Sequence, residues 1–311
     1  CVLSLPILPP SAGVAQACCI TGFHDFKRGR RLESIRFYDR GLSIYRLLSA
    51  ENPQCLYRYA AESGTIGFLM SATNEYQPRS AELLRQAVAI WKRLEQEQPG
   101  KYRVEYATAC DNLGYQLSLS HDVATHREAE AVLREALAIR QQLYQQDPGR
   151  FRRDYAWTAD NLGKVLTRDS GSFAEAEELL RTALQLREEM NRESGGKNIS
   201  EVAWTCHNLG QLLAKKPEYA AEAEQCYRTS IRLRQKLEQL SPGTHAADTS
   251  WVMFWLAELL SHDPARHAET GELYCAALEI QQKVEQEHPG MFVLNIDRIR
   301  ERYESFRNGI Q

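Results

Sequence analysis

Small and large apolar residues recur along the chain with the spacing of one helix face, and the pattern is repeated six times. In the second half of each repeat, a small residue follows a large residue by three positions and precedes another by seven. Spacings of three, four and seven place side chains on one face of an α-helix. The small residues are Gly41, Ala87, Ala136, Ala183, Ser230 and Ala277. The pattern therefore predicts one amphipathic helix in the second half of every repeat.

A further helix is predicted in the first half of each repeat, where an apolar residue precedes a small one. These pairs are Ile66-Gly67, Leu113-Gly114, Leu162-Gly163, Leu209-Gly210 and Leu256-Ala257. Between the repeats stand Pro99-Gly100, Pro148-Gly149, Gly195-Gly196, Pro242-Gly243 and Pro289-Gly290, at spacings of 49, 47, 47 and 47 residues. Because proline and glycine continue a helix poorly, these pairs are predicted to end each helical hairpin.

Six stacked hairpins follow from this pattern. A single hairpin cannot bury its apolar face, whereas stacked neighbours bury a continuous core. We therefore predict an all-α fold, a right-handed α-solenoid, with an N-terminal extension over 1–9, a superhelical array over 10–290 and a capping helix over 291–311. The predicted hairpins span about 10–53, 54–100, 101–149, 150–196, 197–243 and 244–290.

The repeated residues resemble the tetratricopeptide repeat family. The fourth hairpin carries the resemblance in Ala156-Trp157-Thr158-Ala159-Asp160-Asn161-Leu162-Gly163, followed by Ala176, Leu180 and Ala183. The period of 47–49 residues is longer than the 34 of the family, and such long forms are similar to bacterial and kinesin-light-chain-type arrays. The resemblance implies a protein-interaction scaffold that holds a peptide or partner segment in a concave groove lined by the first helices.

Composition narrows the class of function. The 311 residues carry 38 Lys+Arg and 41 Asp+Glu, a formal net charge of -3, so neither nucleic acid nor an anionic membrane is an expected partner. The sequence contains no run of about 18 apolar residues, which excludes a membrane-spanning helix. It also contains no glycine-rich phosphate loop, nucleophile elbow or H-E-x-x-H motif, so we expect neither catalysis nor a cofactor.

The eight cysteines indicate a reducing compartment. They form no C-x-x-C pair and are too sparse for a disulfide scaffold, so we expect buried thiols in a cytoplasmic protein. Residues 3–17 are apolar and end in Ala15-Gln16-Ala17, a weak likeness to a secretory signal, but the segment lacks a basic start and is interrupted by prolines. Because residue 1 is cysteine, we expect the chain to be cut from a longer polypeptide.

Three asparagines occupy one equivalent position in successive first helices. They are Asn112, Asn161 and Asn208. A side-chain amide offers both a donor and an acceptor, which matches the backbone of an extended peptide. The resemblance implies that these residues clamp such a backbone. The alternative is that each bonds a neighbouring helix and stabilises the stack.

Tryptophans form a second periodic row on the predicted ligand face. Trp157, Trp204 and Trp251 recur every 47 residues, and Trp255 replaces the asparagine in the last repeat. Tryptophan is common in binding hot spots because it supplies a large contact area at low entropic cost. The same side chain also wedges consecutive hairpins together, and the sequence leaves both roles open.

Charges of both signs accompany these two rows. The predicted face also contains Asp111, Asp160, Lys164, Arg168, His207 and Lys215. A ligand with both signs, or an acidic segment over the C-terminal half, fits this mixture. Two loop motifs, His121-Asp122 with His126 and His262-Asp263 with His267, match no metal-ligand spacing, and we predict no metal site there.

The sequence is compatible with two functions. The first is a scaffold that binds a protein or extended peptide, with no nucleic acid and no membrane as partner. The second is a regulatory or sensor region of a larger signalling enzyme (a kinase, caspase-like protease or NTPase) whose catalytic domain lies outside this chain. Neither the partner nor the oligomeric state is specified by the sequence.

Overall fold

The computed structural model describes residues 9–71, 76–120, 122–287 and 293–309. Within these ranges the chain forms thirteen α-helices and no β-strand. The helices are α1 (Ala12–Lys27), α2 (Arg31–Leu48), α3 (Pro53–Ser71), α4 (Gln77–Glu97), α5 (Arg103–Ser118), α6 (Val123–Gln146), α7 (Pro148–Leu166), α8 (Phe173–Glu193), α9 (Ile199–Leu213), α10 (Ala220–Leu240), α11 (Ala246–Leu260), α12 (His267–Glu287) and α13 (Val293–Gly309). The predicted extension up to residue 8, His121 and the predicted breaker Pro289-Gly290 lie outside the described residues.

The helices pack in the order in which they occur, within two compact units. The N-terminal unit (residues 1–147) contains the hairpins α1–α2, α3–α4 and α5–α6, and the C-terminal unit (residues 148–311) contains α7–α8, α9–α10 and α11–α12. Inside each unit, the second helix of one hairpin packs against the first helix of the next, and α13 packs against α12. The predicted all-α, solenoid-type packing of hairpins is confirmed.

The small residues of the repeat allow two helices to approach closely. A Cβ atom added at Gly163 of α7 would lie 2.7 Å from Cγ of Leu180 in α8 and 3.3 Å from the carbonyl oxygen of Ala176. The same replacement at Gly210 of α9 would meet the ring of Tyr227 at 2.8 Å. The small residue of the first helix and the large residue of the second are therefore one contact, which explains why they recur in phase.

Glycine and proline mark the helix ends in different ways. Gly100 and Gly243 adopt left-handed φ angles of 88° and 85°, which other residues adopt at a cost, so each ends a hairpin as predicted. Pro148, in contrast, is the first residue of α7 rather than the end of the preceding hairpin. Proline fits that position because the amide of a first helical residue has no partner within the helix.

The buried core is formed by the apolar residues that the repeat pattern predicts. Ala156, Leu162, Leu180 and Ala183 have no exposed surface, and α13 is anchored by Ile299, which is also fully buried. No helix in the described part of the chain combines the length and apolar character needed to cross a membrane. Of the first helices, α3 contacts α5 in the N-terminal unit and α7 contacts α9 in the C-terminal unit. The first helices carry the candidate site.

Candidate functional site

The candidate site in the C-terminal unit is the surface formed by α7, α9 and α11, which we call the first-helix face. It comprises the predicted residues Trp157, Asp160, Asn161, Lys164, Arg168, Trp204, His207, Asn208, Lys215, Trp251 and Trp255. Their exposure differs widely. The carboxylate, imidazole and amide groups in the middle of the helices are buried, the tryptophans are half-buried, and the outer cations are exposed.

Asp160 lies in a buried ionic contact rather than on an open surface. The residue has no exposed area, and its Oδ2 atom is 3.4 Å from Nη1 of Arg187, whose side chain is 2% exposed. The same Arg187 nitrogen donates to the hydroxyl of Thr205 and, at 3.1 Å, to the carbonyl oxygen of Glu201. Arg187 therefore connects α8 to both α7 and α9.

The asparagine row is divided by the structure. Asn208 is buried, and its Nδ2 atom donates to Oδ2 of Asp160 at 3.1 Å. Asn161 is 2% exposed, and its Nδ2 atom has no acceptor among the described residues. Asn112, on α5 of the N-terminal unit, is half-buried. The three equivalent positions thus have three different environments, and the backbone-clamp role stays a prediction.

The N-terminal unit contains a similar buried pair. Asp111 accepts from Nε and Nη2 of Arg140 at 3.3 and 3.2 Å, and both side chains are under 5% exposed. Arg140 also donates to the hydroxyl of Thr108 at 2.8 Å. A carboxylate from a first helix and a guanidinium from the second helix of the same hairpin thus meet in the core of both units.

His207 occupies the position that Asp111 and Asp160 hold in earlier repeats. The arginine of its hairpin, Arg234, turns instead to Asp248 of α11, with 2.8 Å between Nη1 and Oδ2. Burial lowers the pKa of His207 to about 3, and the nearby charges of Arg234 and Lys164 act in the same direction. At neutral pH the imidazole is therefore uncharged, and its Nδ1 atom has no partner among the residues described.

Each tryptophan of the periodic row has a cation over its ring. The guanidinium carbon of Arg187 is 5.9 Å from the ring centroid of Trp157, and that of Arg234 is 5.8 Å from Trp204. Trp251 has the guanidinium of Arg298 at 5.3 Å. These distances are within the range of cation–π attraction. The arrangement fixes the rings while leaving them partly exposed.

Two indole N–H groups on the face have no acceptor in the described parts of the chain. They are Nε1 of Trp204 and Nε1 of Trp255, and both atoms are buried although the side chains are half-buried. A buried donor is stabilised when it meets an acceptor. The face therefore presents apolar ring surface to solvent, with these donors beneath it.

The cations predicted for the face lie towards the C-terminal ends of α7 and α9. Lys164 is half-buried, and burial lowers its pKa, against the attraction of Asp160 and together with the charge of Arg168. Its ammonium lies 5.6 Å from the ring centroid of Trp204. Arg168 and Lys215 follow the last residues of α7 and α9 and are exposed. Three cations thus lie towards the same ends of α7 and α9.

Comparison with known proteins agrees with the helical-hairpin fold. Residues 156–191 match the family model of the tetratricopeptide repeat. The crystal structure of BtubC (BKLC) from P. vanneervenii, a kinesin-light-chain-like tetratricopeptide-repeat protein, has a similar fold, with a TM-score of 0.51 and 16% sequence identity over 88% of this chain and 89% of that one. No match was found among curated protein sequences. The tetratricopeptide-repeat fold suggests a protein-interaction scaffold, since such proteins generally bind other proteins.

Three buried arginines of the second helices were not predicted from the sequence. Arg140, Arg187 and Arg234 recur every 47 residues at the same position of the second helix, and all three are buried. An arginine on an amphipathic helix is normally assigned to solvent. Their 47-residue period could have revealed them. These arginines recur in phase with the core residues, whereas an exposed arginine has no structural reason to recur at a fixed position.

The histidine–aspartate motifs have a structural role. Asp122 accepts from the backbone nitrogen of Thr125 at 2.7 Å and caps α6, and Asp263 accepts from that of Ala265 at 3.0 Å. Among the described residues no group of three His, Cys, Asp or Glu side chains could hold a metal ion. Each aspartate is thus explained by the helix start that it caps.

Proposed function

We propose that this chain is a scaffold that binds an extended segment of another protein along the first-helix face of the C-terminal unit. The observation that carries the proposal is the row of half-buried tryptophans Trp157, Trp204 and Trp251 on consecutive first helices. Their regular spacing offers apolar contacts to a chain that runs across several helices. The proposal assigns no reaction, cofactor or metal ion to this chain.

Backbone recognition in this proposal requires side-chain rotations that uncover the buried donors beside the rings. The Nε1 atoms of Trp204 and Trp255 and the Nδ2 atom of Asn161 have no acceptor among the described residues and almost no accessible surface. Once uncovered, these groups can donate to carbonyl oxygens of an extended segment, and each such bond contributes about 0.5–1.5 kcal/mol. The Nδ2 atom of Asn208 already donates to Asp160, so in this proposal Asn208 acts on the ligand only by holding Asp160 in place.

Charge favours a partner segment with acidic residues. Arg168 and Lys215 are exposed at one end of the face, and the ammonium of Lys164 lies 5.6 Å from the ring centroid of Trp204. Exposed ion pairs add little to affinity individually, yet they accelerate association and help to exclude basic partners. The proposed ligand is therefore an extended segment with apolar and acidic side chains.

Comparative affinity capture tests this proposal. The double variant Arg168→Glu/Lys215→Glu reverses two exposed charges on the face, and Arg232→Glu/Lys236→Glu makes the same change on exposed residues of α10. We expect the first variant to lose at least about tenfold of a partner that the wild type retains, and the second to retain it. Equal retention by both variants, with unchanged helicity, would place the binding surface elsewhere.

A further inference from the structure

A small cavity in the N-terminal unit lies between α1, α2 and α3. Its volume is 180 Å³, and its walls include Ile20, Phe23, Tyr38, Glu62, Ile66 and Leu69. Pockets that enclose a whole small-molecule ligand usually measure about 300–1,000 Å³, so this cavity has room for a single side chain. Cys19 and Thr65 complete the lining, and Glu62 supplies a carboxylate.

Glu62 has no ion pair or hydrogen bond among the described residues, although its side chain is half-buried. Burial raises the pKa of its carboxyl group, and the charge of Arg58, one helical turn earlier, opposes that shift. A carboxylate that has lost part of its hydration without gaining a partner is destabilised. A cation placed in the cavity would remove that cost.

Tyr38 forms a buried part of the cavity wall. The residue is 2% exposed, and its hydroxyl has almost no accessible surface. Burial is the main cause that raises the pKa of Tyr38 and of Cys19, in each case to about 12, so both groups are neutral at physiological pH. Glu62 is therefore the acidic group of the wall that an entering ammonium can meet.

The aromatic wall already attracts a cation at its outer edge. Nζ of Lys27 lies 4.7 Å from the ring centroid of Phe23. Ile20 is 51% exposed at the rim, which leaves an apolar surface for the stem of an entering side chain. A lysine has a four-carbon apolar stem and a compact ammonium with three donors, which matches apolar walls beside a carboxylate.

We propose that this cavity is a binding site for a lysine side chain of a partner protein, with the ammonium held by Glu62. The aliphatic stem then lies against Ile66 and Leu69, and Phe23 closes one side. This site is separate from the first-helix face of the C-terminal unit, so it adds a second point of recognition to the scaffold. The site would recognise one lysine in the partner segment that binds the N-terminal unit.

Methyl NMR of the full chain tests the site directly. With isoleucine methyl groups labelled, the chain is titrated with N-acetyl-lysine N-methylamide and, separately, with the uncharged analogue N-acetyl-norleucine N-methylamide. We expect saturable shifts of the Ile20 and Ile66 methyl signals with the lysine probe, and binding at least about fivefold weaker with the norleucine probe. Equal binding of the two probes would overturn the assignment.

Glu62→Gln keeps the shape of the carboxylate and removes its charge. We expect this variant to bind the lysine probe at least about fivefold more weakly, whereas Glu51→Gln, a matched change at an exposed position, leaves binding unchanged. Unchanged binding by Glu62→Gln would overturn the proposal. The norleucine comparison in the wild type remains decisive if the variant folds poorly. The Arg168→Glu/Lys215→Glu variant is expected to bind the probe normally, which separates this site from the first-helix face.

Discussion

The side-chain amide of Asn208 donates a hydrogen bond to the carboxylate of Asp160, with 3.1 Å between Nδ2 and Oδ2. The two residues are 48 positions apart and belong to α9 and α7, the first helices of neighbouring hairpins. Both are buried, and the same carboxylate oxygen lies within ionic contact of Arg187. Residues that the repeat pattern assigned to a ligand face thus form a polar cluster between two hairpins of the C-terminal unit.

The first prediction concerns the charge balance of this cluster. Asp160→Ala leaves the guanidinium of Arg187 buried without its counter-charge, which typically costs about 3–5 kcal/mol. We expect a correspondingly lower midpoint in urea denaturation followed by circular dichroism. Glu178→Ala, on the exposed side of α8, serves as the control and should unfold as the wild type does.

Replacing both partners of that pair separates ionic balance from packing. The double variant Asp160→Leu/Arg187→Met removes both charges together, and such replacements are often close to neutral. We expect it to unfold at a higher urea concentration than Asp160→Ala. If the double variant were less stable than Asp160→Ala, the cost would lie in packing rather than in an uncompensated charge.

A second prediction concerns the glycines of the repeat. Gly114→Ala introduces a methyl group that overlaps the side chain of Leu133, with Cδ2 only 2.7 Å away, and we expect a loss of about 1–3 kcal/mol. Gly64, inside α3, is the matched control, because its added Cβ would lie 3.7 Å from Cβ of Ala87. Gly64→Ala should stabilise the chain by about 0.5–1 kcal/mol through helix propensity. Equal thermal shifts for the two variants would contradict the close helix approach.

A third prediction concerns pH and His207. Its pKa is lowered to about 3 in the folded chain, whereas an unfolded histidine titrates near 6.5. Below pH 6.5 the unfolded state therefore binds a proton that the folded state does not, so the stability falls as the pH decreases towards 3. From pH 7 to pH 5 the contribution of this residue is a loss of about 2 kcal/mol.

The control for this pH dependence comes from the next repeat. Phe254 fills the position equivalent to His207 and is 1% exposed, which indicates that a phenyl ring suits the site. His207→Phe should lose the histidine part of the slope between pH 7 and 5 in urea denaturation. His262→Phe, at an exposed position, should retain it. A wild-type slope in His207→Phe would show that other groups produce the effect.

A fourth prediction separates the asparagines by environment. Asn208→Ala removes a buried hydrogen bond and leaves Asp160 with one partner fewer, so we expect a loss of about 1–3 kcal/mol. Asn112→Ala, at a half-buried position of α5, should change the free energy of unfolding by less than about 0.5 kcal/mol. Equal losses in thermal or urea unfolding would mean that both asparagines have the same structural role.

The fold could be predicted from the sequence because its repeated contacts join residues at fixed positions of each repeat. Gly163 and Leu180, for example, recur in phase as the two sides of one helix contact. The repeat pattern alone therefore predicted the first and second helices. Pro148 was the exception in detail, since proline is equally suited to end one helix and to begin another.

The polar interior could not be predicted in the same way. Position in the repeat indicates which residues are equivalent, but not which partner each side chain meets. From the sequence alone Arg187 is expected to face solvent, whereas in the structure it lies against Asp160. His207 in place of an aspartate then redirects Arg234 to Asp248, although the helices keep their register. Equivalent positions therefore had different environments, and only the structure distinguishes them.

The central claim, that the first-helix face of the C-terminal unit holds a partner segment, is tested most directly by site-specific photo-crosslinking in the cells that make the protein. The photoreactive residue p-benzoylphenylalanine replaces Gln211, half-buried on α9, or Arg232, exposed on α10. Our account predicts a defined crosslinked partner from position 211 and none of that mass from position 232. A crosslink to another part of the same polypeptide would support the regulatory alternative. The same product from both positions, or from position 232 alone, would contradict the proposal.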